Sequence, residues 1–238
     1  MSFPIYTHGR RDQAKVALTF DDGPNPPRTD QILEILTAGN VRATFFVLGK
    51  WAERWPKAFE RIVKAGHVIG NHSHMHDPEV GDFDRAEAVI ANLLGRPTGF
   101  LRAHYFHYHL CQQSPVALAP ATKIVDSDVN PADYSLTDPD EIASRVLQSK
   151  GLQGGSIIDL HDGSETESDA ARLARPLPMI SALPRLIDEL KLRGYSLVGL
   201  DAMELVDPTP WSLGFRKSSL EMKDTTPRSL KGGAKSDF

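Results

Sequence analysis

The chain has 238 residues, 40% of them hydrophobic, which is enough for one sizeable domain with a packed core. A formal net charge of -4 and the lack of basic tracts exclude charge-driven binding to nucleic acid or to an anionic membrane surface. No run approaches the roughly 20 apolar residues of a membrane span, and the opening segment MSFPIYTHGRRDQ lacks the apolar stretch of a signal peptide.

As given, the chain therefore reads as cytoplasmic, or as secreted if a leader has been trimmed away. Short apolar, β-branched runs predict strands at Val16–Phe20, Ala43–Leu48, Val68–Asn71, Phe100–Arg102, Lys123–Ser127, Ser156–Leu160 and Ser196–Leu200. Apolar residues at helical spacing fall between most of them, at Asp30–Leu36, Pro56–Ala65, Asp84–Leu94, Pro139–Lys150 and Met179–Leu192. The lone Cys111 forms no intrachain disulfide and reads as a small buried residue. Repeated β-α units imply a parallel sheet covered by helices. About seven strands fit a distorted (β/α) barrel in a single α/β domain, with an open doubly wound sheet as the alternative. Either architecture puts its site at the carboxyl ends of the strands. The pattern fails after Val206, so residues 1–206 read as the folded domain. Residues 207–238, rich in Pro, Ser, Thr, Lys and Gly, read as a largely disordered tail in which Trp211 and Phe215 are the residues able to dock.

Three strand ends carry chemistry. The first reads Thr19-Phe20-Asp21-Asp22-Gly23-Pro24. Two adjacent carboxylates repel unless a positive group stands nearby, which suggests one metal ligand and one general base; an acidic turn capping the next helix is the plainer alternative. The second reads His72-Ser73-His74-Met75-His76-Asp77. His72 and His76 are four apart, so a single helical turn would put them on one face at a spacing that binds zinc, with His74 pointing away. An exposed histidine-rich loop is the plainer reading, weakened by Asp22 as a third ligand from another strand. The third ends an apolar run in His161-Asp162, where an imidazole is well placed as a general acid. Asp159 is a carboxylate within that apolar run, either facing solvent or hydrogen-bonded to a neighbour. An arginine such as Arg102 would hold one carboxylate of the pair ionised, and a carboxylate near His161 would raise its pKa.

Together these segments resemble the polysaccharide deacetylase family, the family 4 carbohydrate esterases that share the NodB-homology domain, and look most like its chitooligosaccharide deacetylases. Five motifs occur in order from Thr19 to Asp162; TFDDGP and HSxxH are the most specific. The resemblance implies a hydrolase acting on the carbon–nitrogen bond of a linear amide. It would remove N-acetyl groups from N-acetylglucosamine units of an oligo- or polysaccharide partner, as a monomer or weak oligomer. Asp21 would be the base, oriented by Arg102. Asp22, His72 and His76 would hold one divalent metal ion, most often Zn2+, with Co2+ or Ni2+ as substitutes. His161 would be the acid, tuned by Asp133. The backbone N–H of Tyr105 would hold the oxyanion, Ile158 and Leu160 would line the acetyl-methyl pocket, and Tyr134 would supply an aromatic wall. The third motif departs from the family's Arg-Pro-Pro-Tyr-Gly: here Arg102-Ala103-His104-Tyr105-Phe106 exchanges a rigid proline for His104 and a glycine for Phe106. His104, His107 and His109 form a second histidine group, read as a solvated loop. The alternatives are an acetylxylan-type O-acetyl esterase and a catalytically inactive carbohydrate-binding relative.

Overall fold

The computed structural model describes residues 4–77, 79, 81–104, 108–163, 177–206 and 209–210. Nine strands join in one sheet: β1 (Pro4–Tyr6), β2 (Lys15–Gly23), β3 (Thr44–Val47), β4 (Val68–Asn71), β5 (Phe100–Leu101), β6 (Lys123–Val125), β7 (Ile157–His161), β8 (Ser196–Leu197) and β9 (Thr209–Pro210). The run β7-β2-β3-β4-β5-β6-β1 comprises seven strands, parallel at every step. An isolated parallel bridge from Val129 to Ile158 brings the chain leaving β6 against β7, so the sheet curls upon itself. This is the distorted (β/α) barrel expected from the alternation of strand and helix patterns, built as one domain.

Strand alternation divides the interior into two regions. Val16, Leu18 and Phe20 of β2, Phe45 and Val47 of β3, and Ile158 and Leu160 of β7 point outward into the main apolar core. That core is completed by α1 (Arg28–Ala38), α2 (Gly49–Arg54), α3 (Pro56–Lys64), α4 (Asp82–Leu94), α6 (Pro139–Leu147) and α7 (Pro178–Leu192). A short α5 (Pro115–Leu118) follows β5 and packs in a second cluster around Leu101, Tyr108 and Cys111. The alternate positions of β2 and β7 point inward: Ala17, Thr19 and Asp21 stand in register with Ile157, Asp159 and His161. Thr19 faces Asp159 and Asp21 faces His161 across the β2–β7 ladder. This register places the chemically unusual residues of both strands side by side.

Local chemistry explains the element boundaries. Proline at the first helical position starts α3 and α6, where no backbone N–H is needed, and the Asp138 carboxylate caps α6 by accepting from the N–H of Asp140. The seven strands read from the sequence all occur, most of them trimmed by one to three residues. β1 and the short α2 and α5 are additions, too short for a periodic signal. Thr209–Pro210, inside the segment read as a disordered tail, pair antiparallel with β1, while Trp211 and Phe215 lie outside the described residues. Cys111 is buried, and burial pushes its thiol up to about 12, which leaves it protonated and inert. No helix among the described residues is long and apolar enough to cross a membrane.

Candidate active site

The site lies at the carboxyl ends of β2, β4 and β7. β2 ends in Asp21 and Asp22, and Asp22 adopts the left-handed region at φ 71°. This turn lets adjacent carboxylates approach one cavity, which a regular strand would forbid. It is held by Asn25, whose Nδ2 donates to the Asp22 carbonyl at 2.8 Å and to Asp162 Oδ1 at 3.2 Å. Thr29 Oγ1 donates to the other Asp162 oxygen at 2.8 Å.

The histidine segment follows β4 as a loop, and here the structure corrects the expectation of a helical turn. Ser73 and His76 both take left-handed backbone, at φ 78° and 68°. The loop is shaped by side chains. Ser73 N–H donates to Asn71 Oδ1 at 2.8 Å, and the N–H groups of His74 and Met75 donate to the Asp82 carboxylate at 3.1 Å. The result nonetheless turns His72 and His76 to the same side. His72 Nε2 lies 3.6 Å and His76 Nε2 3.5 Å from Asp22 Oδ1, and all three residues are buried. His74 faces elsewhere, packed over Gly49 with Nε2 3.8 Å from Glu53.

The donor atoms of Asp22, His72 and His76 lie within 4.8 Å of one another. His72 Nδ1 sits 3.0 Å from the Arg102 carbonyl, which fixes the proton there and turns the Nε2 lone pair towards Asp22. Burial holds His72 well below its ordinary pKa, so it is neutral, the form that ligates a cation. Two imidazoles and one carboxylate gathered in a buried recess fit a divalent cation of the zinc, cobalt or nickel kind.

A second group occupies the inward face beside it. Arg102 Nη1 donates to Thr19 Oγ1 at 2.7 Å, Asp21 Oδ1 at 2.8 Å and Asp159 Oδ1 at 3.2 Å, while its guanidinium lies over the Phe46 ring at 4.2 Å. Asp21 also approaches His72 Nε2 at 3.5 Å. His161 is gripped twice by Asp133, through Nδ1 at 2.8 Å and its backbone N–H at 2.9 Å. Burial alone would lower the His161 pKa, but the Asp133 charge and hydrogen bond override it and hold the imidazole well above 6.5. Burial raises Asp21 above the usual carboxylate value against the pull of Arg102. Burial and the adjacent Asp21 push Asp159 to about 7.

Other residues named from the sequence take different positions. Tyr134 is 62% exposed and sets its ring edge-on to His161, with centroids 5.1 Å apart. Tyr105 lies outside the described residues, and with it the expected oxyanion contact; His107 does as well. Ile158 and Leu160 do not line the site. Both are fully buried in the main core, on the face of β7 opposite His161, because neighbours along a strand alternate sides. The side chain that shares the His161 face is Asp159, and its i, i+2 spacing from His161 is the signal that identifies it. His104 is likewise no solvated loop residue. It is buried, with its ring centroid 4.5 Å from that of His76 and 6.4 Å from that of His72.

A curled parallel sheet that gathers an arginine-held carboxylate, a carboxylate-held imidazole and a cluster of possible cation donors at its carboxyl edge has the groups that hydrolysis requires. Residues 8–109 match the family model described as polysaccharide deacetylase. The chain is 33% identical over 203 residues to a peptidoglycan-N-acetylglucosamine deacetylase of Bacillus cereus, covering 82% of this chain and 70% of that protein. It is 34% identical over 195 residues to a chitooligosaccharide deacetylase of Sinorhizobium fredii, covering 78% and 89%. Among solved structures, a peptidoglycan N-acetylglucosamine deacetylase in complex with an N-hydroxybenzamide compound superposes with a TM-score of 0.73 at 32% identity, covering 84% of this chain and 92% of that one. The chain belongs to the polysaccharide deacetylase family. It is a deacetylase acting on N-acetylated carbohydrate.

Proposed function

We propose that the protein is a metal-dependent N-deacetylase of glucosamine-containing oligo- or polysaccharides, with chitooligosaccharide as the substrate class. One observation carries this reading: the Asp22, His72 and His76 donors converge while Asp21 and His161 flank them from neighbouring strands. Asp22, His72 and His76 would hold the cation, which when bound polarises a carbonyl and acidifies water.

The chain's own residues supply the proton traffic. Asp21, oriented by Arg102, whose Nη1 also donates to Thr19, takes a proton from the attacking water; its raised pKa makes it a stronger base than a solvated carboxylate. An amine leaves only when protonated, and His161, kept charged by Asp133, donates that proton to the nitrogen. Tyr134, exposed at the rim beside His161, offers a face on which a sugar ring can stack. The products are acetate and a free glucosamine unit.

The experiment is an acetate-release assay on chitooligosaccharides, peptidoglycan fragments and acetylxylan, with zinc or cobalt supplied. Release from chitooligosaccharides in preference to the other two supports the reading. Release from acetylxylan alone overturns it in favour of an O-acetyl esterase.

A further inference from the structure

The mechanism above gives no task to Asp159, a buried ionisable side chain of the site. Asp159 lies on the inward face of β7, two residues before His161, and one of its oxygens, an Asp21 oxygen and a ring nitrogen of His161 all lie within 4.8 Å of one another. It is fixed from two sides: Oδ1 accepts from Arg102 at 3.2 Å and Oδ2 accepts from Asn130 Nδ2 at 2.9 Å. Each oxygen keeps a lone pair, and the side chain keeps 12% of its surface, against 3% for Asp21.

Amide hydrolysis builds a carbon with four substituents. On the reading proposed above, the attacking oxygen faces Asp21, the former carbonyl oxygen faces the cation recess, and the nitrogen faces His161. The acyl chain is the remaining substituent, and on the inward face of β7 the side chain next to the Asp21–His161 pair, one step down the ladder beside Thr19, is Asp159. The apolar neighbours Ile158 and Leu160, which could have received a methyl group, are on the other side of the strand. A methyl pressed against a buried carboxylate strips it of water and returns no hydrogen bond. A hydroxyl there would hydrogen-bond to a carboxyl group already held in place.

We propose that Asp159 selects the acyl group, so that the enzyme prefers a hydroxyl-bearing acyl chain such as N-glycolyl over N-acetyl on the same sugar nitrogen. The inference rests on the N-deacylase reading and changes only the acyl specificity. The chemistry balances in the same way: water adds its oxygen to the acyl carbon, the carbon–nitrogen bond breaks, Asp21 takes the water proton, and His161 supplies the proton to the leaving amine. The products are glycolate and glucosamine.

The test compares kcat/KM for two oligomers of equal length, one N-glycolylated and one N-acetylated, with the zinc-loaded full chain, Asp159→Leu and Asp159→Asn. A ratio of two substrates on one preparation cancels any loss of folded or metal-loaded protein. Wild type should favour the glycolyl oligomer by about fivefold or more, the size expected for one hydrogen bond. Asp159→Leu should reverse the preference, and Asp159→Asn should weaken it. A wild-type preference for acetyl, or an unchanged ratio in an active Asp159→Leu, overturns the inference. Release of neither acid by wild type overturns the deacylase reading and this inference with it.

Discussion

Asp133 engages His161 through both of its carboxylate oxygens, one on the ring Nδ1 at 2.8 Å and one on the backbone N–H at 2.9 Å. The double contact fixes the ring and leaves Nε2 as the atom that can present a proton to substrate.

A pH dependence follows from this pair. The His161 pKa is raised, so the imidazole is protonated across the neutral range and loses its proton only as pH climbs through the raised value. Turnover should therefore fall on the alkaline side. Asp133→Asn removes the charge that overrides burial, so the alkaline limb of kcat against pH should move to lower pH. An alkaline limb that stays in place would show that another group is the acid.

The two neighbouring aspartates should separate cleanly. Asp21 is tied to Arg102, which also donates to Thr19, whereas Asp22 faces both imidazoles. Asp21→Asn should lower kcat by about 10²- to 10⁴-fold while zinc titration still shows a bound ion. Asp22→Asn should lose the ion itself. Metal loss in Asp21→Asn with retention in Asp22→Asn would reverse the two roles.

Removing the cation gives a third check. Dialysis against a strong chelator should abolish acetate release, and zinc or cobalt should restore it. A ligand that binds only the folded state adds about 2.7 kcal/mol at a hundredfold excess over its dissociation constant. Thermal melts should therefore shift upward with zinc for the wild type and stay flat for His72→Ala. Activity that survives complete metal removal would refute the mechanism.

Much of this site was legible in the sequence because strand ends announce themselves. An apolar run that stops at Asp21-Asp22, His72 or His161 places those residues at the carboxyl edge before any coordinates are known. What stayed hidden was set by residues distant in the chain. The loop that brings His76 beside His72 depends on Asp82, and the burial of His104 depends on its packing against His76 and Phe83. Local polarity alone made that histidine look solvated. Asp159 was open to a period-two argument, since i and i+2 share a face. The family resemblance put the acetyl pocket on its apolar neighbours, Ile158 and Leu160, which point into the main core on the other side of β7.

Gly23 links the reactive turn to Asp162, and its replacement tests how tightly the site is packed. A methyl group on Gly23 would collide with the Asp162 carboxylate. That carboxylate cannot yield freely, because Thr29 and Asn25 hold its two oxygens and Asn25 also holds the Asp22 carbonyl. Gly23→Ala should therefore cost about 1–3 kcal/mol in denaturant unfolding and weaken zinc binding by shifting Asp22. Asp162→Ala removes the obstruction but also the hydrogen bonds. In the double variant the collision disappears, so its destabilisation should fall short of the sum of the two single changes. Strict additivity in that cycle would mean that Gly23 and Asp162 do not touch, and that the turn carrying Asp22 is positioned by something else.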